Sequence, residues 1–343
     1  MMKAIVKPRP GPGAELIEVD PPKVGPGDCL IKVERASICG TDYHIYRWDQ
    51  WSESRIRPPR IFGHECAGTV VEIGEGVVGV KKGDFISAET HIACGHCYFC
   101  RTGLAHICRE VKILGVDIDG VFAEYVRIPY QNCWVLPGGF PTDYASVMEP
   151  FGNAVHSVTE ARVEGENVLI TGAGPIGLMS IMVARSYGAN RIIVAEINDY
   201  RLEMAGKVGA DLVINPNEED LVAKVQSVTG GIGVDVVLEM SGAESAITQG
   251  LKSLRGGGRF VILGIPKRPI TLDISPLIVF KQATVIGVNG RRMFDTWFRS
   301  TRLILDLKID LEMIITHRLP MDRFEEGMEL MGRGECGKIL LLP

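Results

Sequence analysis

The chain has 343 residues, 46% of them apolar, and a formal charge of −5. This length suits two domains and the apolar content suits sizeable cores, while the acidic balance gives nucleic acid or an anionic membrane no electrostatic footing. Residues 1–13 contain three prolines and no apolar h-region, which argues against a secretory signal, so a soluble, cytoplasmic protein is expected.

Short β-branched runs come first. Cys29–Glu34, Ala67–Ile73 and Phe122–Ile128 are separated by turn residues such as Pro26-Gly27 and Lys82-Gly83-Asp84. Runs of this length and spacing predict a compact, partly open β-barrel-like domain over residues 1–150. Two segments within it carry ligand chemistry, Cys39-Gly-Thr-Asp-Tyr-His44 and Gly63-His64-Glu65. Thiolate, imidazole and carboxylate are all zinc ligands, and three protein ligands leave a position for substrate, so Cys39, His64 and Glu65 read as a catalytic zinc site. Thr41 and His44 follow Cys39 by two and five residues, and a hydroxyl and an imidazole there suit a proton relay to solvent. Taken singly, Cys39 would be a small buried thiol and His64 a satisfied core histidine.

Of nine cysteines, four fall within fifteen residues as Cys94-x2-Cys97-x2-Cys100-x7-Cys108. In a chain of this size without an export signal, clustered cysteines point to metal rather than disulfides. Four thiolates fill a tetrahedral zinc shell, so the lobe at 90–110 reads as a structural zinc site. An iron–sulfur cluster is the rival, and a nucleic-acid-binding zinc module is disfavoured by the lack of a basic run. His96 and His106 are expected on the solvated surface. His91, just upstream, is a candidate substrate contact or a surface imidazole, and Trp48 and Trp51 are pocket walls or packing.

After Glu164-Gly165-Glu166 the texture changes. Apolar runs at Val168–Thr171, Arg191–Ala195, Asp211–Ile214, Val234–Glu239, Arg259–Leu263 and Thr284–Gly287 alternate with helix candidates at Pro175–Tyr187, Asp199–Val208, Glu218–Val228 and Ser245–Leu254. That alternation predicts a doubly wound parallel sheet of six strands, an α/β fold. The uncharged stretch 167–184 has Gly172, Gly174, Pro175 and Gly177 in its interior, which suits strand, turn and helix better than a membrane span. Gly172-Ala-Gly174-Pro-Ile-Gly177 follows the first of these strands and opens a helix, the dinucleotide fingerprint. Glu196, at the end of the second strand, favours NAD over NADP, since a carboxylate accepts from ribose hydroxyls and repels a 2′-phosphate; Arg201 nearby pulls the other way. A further helix is expected over Met293–Leu307, then a short tail.

The Cys39/His64/Glu65 site, the four-cysteine lobe and the fingerprint, in that order, resemble the zinc-dependent medium-chain dehydrogenases over essentially the whole chain. The resemblance implies a GroES-like catalytic domain at 1–150, a Rossmann coenzyme domain at 151–290 and a segment at 291–343 returning to the first. It also implies Glu149 as a close or intermittent fourth ligand of the catalytic zinc, two zincs per chain, and a homotetramer. Coenzyme contacts are implied at Ile176, Leu263, Gly264, Ile265, Val288, Asn289 and Arg291, beside Glu196 and Arg201. The segment Cys39–Trp51, with Phe62-Gly-His-Glu65 and Glu149-Pro-Phe-Gly-Asn-Ala154, is similar to that of family members acting on L-threonine. The implied reaction is NAD-dependent oxidation of its 3-hydroxyl.

There are departures. Position 149 is Glu where some relatives have Asp, and Asn289 stands where some carry an aromatic. No cysteine lies between Cys133 and Cys336, unlike alcohol dehydrogenases with a cysteine ligand near position 150. A polyol or secondary-alcohol dehydrogenase is the nearest alternative, and a non-catalytic coenzyme-sensing protein is one of another class.

Overall fold

A computed structural model describes all 343 residues, Met1–Pro343. The chain forms two compact units, Met1–Glu149 with Ile315–Pro343, and Pro150–Ile314. The α/β class expected from the sequence is the one observed. Helix Asp295–Leu305 belongs to the second unit, so the chain rejoins the first at Ile315 rather than at residue 291. No helix is long and apolar enough to cross a membrane.

The first unit is organised around the ten-residue strand Asp28–Ser37, which pairs antiparallel with Glu65–Ile73, Tyr125–Pro129 and Lys338–Leu342. Along it Cys29, Ile31 and Val33 alternate inward, onto a core that includes Ile5, Phe62, Phe122 and Ile339. The strand expected over Phe122–Ile128 begins only at Tyr125. Phe122 is instead packed edge-on against Phe62 at 5.2 Å, with its backbone bonded to Phe62 and Ile5. The returning segment supplies Ile315–Pro320 and Lys338–Leu342 as a parallel pair, crossed over by helix Phe324–Arg333. That helix stops at Gly334, whose φ of 72° closes its end.

The second unit has six parallel strands, in the order Leu212–Ile214, Arg191–Ala195, Asn167–Thr171, Val234–Glu239, Leu254–Ile262 and Thr284–Gly287. The order reverses beside Asn167–Thr171, the crevice where such sheets bind ligands. Val168, Leu169 and Ile170 are fully buried, which is why the run is unbroken rather than alternating. The helix expected from Glu218 starts at Leu221, because Asp220 caps the Ala223 N–H at 3.0 Å.

Candidate functional site

Cys39 stands where strand Asp28–Ser37 gives way to helix Gly40–Arg47. Asp42, fully buried, accepts from the Cys39 backbone N–H at 2.8 Å through Oδ2. Its Oδ1 lies 3.3 Å from His64 Nδ1, an arrangement that would leave Nε2 of that ring to meet an ion. Gly63 precedes His64 at φ 86°, and an added Cβ there would sit 2.3 Å from the Phe122 ring. Glu65 opens the next strand directly opposite Ser37. The result is that ligand atoms of Cys39, His64 and Glu65 all lie within 4.8 Å of one another.

These residues fit a metal ion. Glu65 Oε1 is buried without a partner, although Oε2 accepts from both the Ser37 hydroxyl and the Lys338 ammonium. A buried, unsatisfied carboxylate oxygen is costly unless a cation meets it. Burial works against positive charge on His64, yet Asp42 and Cys39 outweigh it and raise the imidazole well above its ordinary proton affinity. An environment that favours a proton there favours a cation too. Glu149 lies in the first turn of helix Met148–Ala161, 6% exposed, outside this convergent set.

Thr41 Oγ1 is 3.9 Å from Cys39 Sγ. His44 follows one turn later, half exposed, its Nδ1 2.5 Å from Asp49 Oδ2. Asp49 also caps helix Gln50–Arg55 through the Ser52 N–H at 3.0 Å. Burial opposes its charge, but the Ser52 N–H and His44 hold its carboxyl below the usual range. Trp51 meets the His44 ring edge-on at 6.5 Å, whereas Trp48 lies under the Lys7 ammonium at 5.1 Å. His91 is mostly buried, and its backbone N–H donates to the fully buried Glu89 at 2.7 Å.

In the lobe, sulfur separations are 3.9 Å for Cys94–Cys100, 3.5 Å for Cys97–Cys100 and 3.8 Å for Cys97–Cys108. A tetrahedron with Zn–S bonds of ~2.3 Å has edges of about 3.8 Å, so these residues fit zinc and are too far apart for disulfides. Backbone N–H groups of Cys94, Cys97 and Glu110 point at the sulfurs from 3.3–3.4 Å. The Cys100 backbone leads the bonds that lower the Cys97 thiol to about 6. His96 is exposed as expected, but His106 is 6% exposed and so is not a surface residue. It lies in the short turn Ala105–Ile107 that brings Cys108 into the cluster.

The fingerprint turn fits a dinucleotide. At Gly172 and Gly177 an added Cβ would collide with Ser241 at 2.8 Å and with the Gly172 carbonyl at 2.0 Å, while at Gly174 it would meet nothing within 4 Å. That open side heads helix Pro175–Ser186, whose free N–H groups suit a pyrophosphate. Ile176 is half-buried in its first turn. Glu196 accepts from Ala173 N at 2.7 Å, Ile197 N at 2.8 Å and Asn198 N at 3.0 Å. Arg201 keeps its buried Nε without a partner. Leu263 and Gly264 donate to the Glu239 carbonyl at 3.0 Å, and Ile265 beyond them is 87% exposed. Val288 N donates to Ile262 O at 2.8 Å, and Asn289 is exposed. Arg291 is 1% exposed and packs on Gly152, its guanidinium 3.4 Å from Asn153 Oδ1.

Besides Lys338, which contacts Glu65, three positions escaped the sequence reading. Asp42 had a signal, an acid three residues after Cys39 in a helix start, and Asp49 had one as an N-cap before Ser52. Glu239 had none. Its fully buried carboxylate takes the Ser241 and Gly242 N–H groups at 2.9 and 3.0 Å, tying that loop to the sheet beside the fingerprint, and burial raises its pKa.

Residues 25–138 match the alcohol dehydrogenase GroES-like domain family, and residues 175–306 match the zinc-binding dehydrogenase family. The chain is 53% identical over 342 residues to an L-threonine 3-dehydrogenase of Pyrococcus horikoshii, covering 99% of this chain and 98% of that one. In structure it is similar to galactitol-1-phosphate dehydrogenase from Escherichia coli, with a TM-score of 0.92 and 26% identity over 100% of both chains. It is also similar to an alcohol dehydrogenase from Escherichia coli complexed with NADH, with a TM-score of 0.91 and 29% identity over 100% of this chain and 99% of that one.

Proposed function

The chain belongs to the zinc-binding dehydrogenases with an alcohol dehydrogenase GroES-like domain, and from that premise we propose that it oxidises the 3-hydroxyl of L-threonine to 2-amino-3-oxobutanoate with NAD. The observation that carries the substrate is full-length identity of 53% with an L-threonine 3-dehydrogenase, twice that with the sugar-alcohol-phosphate enzyme of the same fold. The polyol reading therefore ranks second, and the intact Cys39, His64, Glu65 and Thr41 set disfavours a non-catalytic sensor.

In this reading Cys39, His64 and Glu65 hold zinc, Glu149 joins them only as an intermittent fourth ligand because it lies outside their convergent set, and the lobe cysteines hold a second zinc. Bound there, zinc supplies a Lewis acid for the hydroxyl and NAD supplies the hydride acceptor. The chain's own residues handle the proton. Thr41 takes it from the substrate hydroxyl and passes it to His44, whose Nδ1 is engaged by Asp49 so that Nε2 is left to exchange. Asp42 fixes the orientation of His64, and Glu196 receives the adenosine ribose with Arg201, Ile176, Leu263–Ile265 and Val288–Asn289 completing the coenzyme's surroundings. Arg291, packed on Gly152 with its guanidinium 3.4 Å from Asn153 Oδ1, is a further coenzyme contact in this reading. Catalysis belongs to Met1–Glu149 with Ile315–Pro343, and coenzyme binding to Pro150–Ile314.

Strand Thr284–Gly287 forms an open sheet edge, with Val285 43% and nearby Phe280 82% exposed; such an edge suits pairing with a second copy, which supports a homo-oligomer. Nine cysteines, none of them in a disulfide, suit a reducing cytoplasm. The test is kcat/KM for threonine, sorbitol, xylitol and 2,3-butanediol, each with NAD and NADP. Threonine with NAD should lead, and a polyol leading would transfer the assignment to the second reading.

A further inference from the structure

Lys338 is among the largest fully buried side chains of the protein, at 1% exposure, and the proton relay makes no use of it. It opens strand Lys338–Leu342, which pairs with the end of Asp28–Ser37 through Leu340 opposite Ser37 and Leu341 opposite Ala36. Its ammonium donates to the Ile38 carbonyl at 2.9 Å and to Glu65 Oε2. Ser37 donates to the same oxygen, and Oε1 is left buried without a partner. Both protein donors therefore grip one oxygen of the carboxylate and leave the other for an ion.

We propose that Lys338 is a positioning residue of the Cys39/His64/Glu65 metal site, holding Glu65 by Oε2 so that Oε1 alone faces the ion. This rests on the metal-site reading above, though not on the choice of substrate. Charge supports it as well as geometry. With Cys39 as thiolate and Glu65 and Asp42 as carboxylates, a divalent ion and Lys338 bring the buried cluster to neutrality. A buried charge of this kind persists only where it is paired and hydrogen-bonded. Without Lys338, Glu65 has only the Ser37 hydroxyl to fix it, and its carboxylate swings aside. The loss of a placed ligand outweighs the extra attraction gained by removing a nearby cation, because a displaced carboxylate forms no bond to the ion.

The experiment is zinc release from the intact holoenzyme to a colorimetric chelator, with the lobe zinc as internal control. Lys338→Met should speed release from the open site by ~10–100-fold, the usual consequence of losing a partner that orients a ligand, and leave the lobe's release unchanged. Lys338→Arg should lie between the two. In a Glu65→Gln background the Lys338→Met change should add nothing further, since the group it acts through is gone. Unchanged or slower release from the open site, or equal acceleration at both sites, overturns the proposal, as does undiminished acceleration in the Glu65→Gln background. If Lys338→Met fails to fold, Lys338→Arg and Ser37→Ala decide by the same selective acceleration or its absence. A parent whose only zinc is the lobe's overturns the metal-site reading as well, whereas poor turnover of threonine leaves this proposal standing.

Discussion

In the lobe, Cys94, Cys97, Cys100 and Cys108 need only fifteen residues of chain to bring their sulfurs within 3.5–3.9 Å. Cys39, His64 and Glu65 meet only because three strands are in register, one of them bringing Lys338 from 273 residues away. The first cluster is satisfied by its own backbone N–H groups and has no open position. The second keeps a buried carboxylate oxygen in reserve and depends on the packing of the whole unit. A closed site can be written locally, while an open one has to be held open by distant parts of the fold.

If this contrast is right, damage at the two places has different consequences. The largest is Cys39→Ser or His64→Ala, for which turnover should fall by more than about 10^3-fold, ~4 kcal/mol of transition-state stabilisation. NADH affinity, read by fluorescence titration, should stay within about twofold, as the fingerprint lies in the other unit. Near-parental turnover in either variant would remove the catalytic assignment. At the lobe, Cys100→Ser should cost one zinc per chain and lower Tm by about 5 °C or more, the scale of ~2 kcal/mol in a domain of this size. Metal analysis decides the identity of the ion, and iron with sulfide would replace zinc in the lobe.

The coenzyme unit offers a subtler probe. Glu196→Ala removes the ribose partner and also releases the Ala173, Ile197 and Asn198 N–H groups it holds. The NAD-to-NADP ratio of kcat/KM should swing by about 1–3 kcal/mol toward NADP, aided by Arg201; an unchanged ratio would take coenzyme choice away from Glu196. The smallest effect belongs to Asp143, which joins Arg35 to Arg318 of the returning segment at 2.7 Å each. Burial opposes its charge, but the two arginines hold its carboxyl below the usual range. That stability is present above the unfolded value near ~4 and fades as pH falls through the lower folded one. Asp143→Asn should therefore cost about 1 kcal/mol at neutral pH, after allowance for partial exposure. The gap in urea midpoint should close below about pH 4, and a gap persisting there would mean that charge is not its source.

How far the sequence could be read follows the same division. The lobe and the fingerprint are contiguous, so spacing and glycines exposed them, and unbroken apolar runs exposed the six parallel strands. Lys338 reads in sequence as one residue of Gly337-Lys-Ile-Leu340, with nothing to mark it as buried on Glu65. Glu239 likewise looks like an ordinary strand-end acid until the Ser241–Gly242 loop folds over it. His106 was misplaced on the surface because a polar residue among ligands looks solvated, whereas the turn to Cys108 folds it inward. The expected strand at Phe122 failed for a similar reason, since pairing with Phe62 across the core overrode local β propensity.

The pairing of strand Lys338–Leu342 with Asp28–Ser37 also sets a timetable for synthesis. Ile38 and the lysine that bonds its carbonyl are 300 residues apart, on the order of 15–60 s of translation at typical rates of ~5–20 residues per second. For the last 273 residues of that interval Glu65 is made and lacks its cationic partner, while the edge of Asp28–Ser37 at Ala36 and Ser37 is uncovered. The cysteine lobe has no such wait and can take up metal on the ribosome as soon as Cys108 emerges. In the two-zinc reading the lobe would fill first, and the open site would reach its full hold on an ion only after the dinucleotide-binding unit has been made.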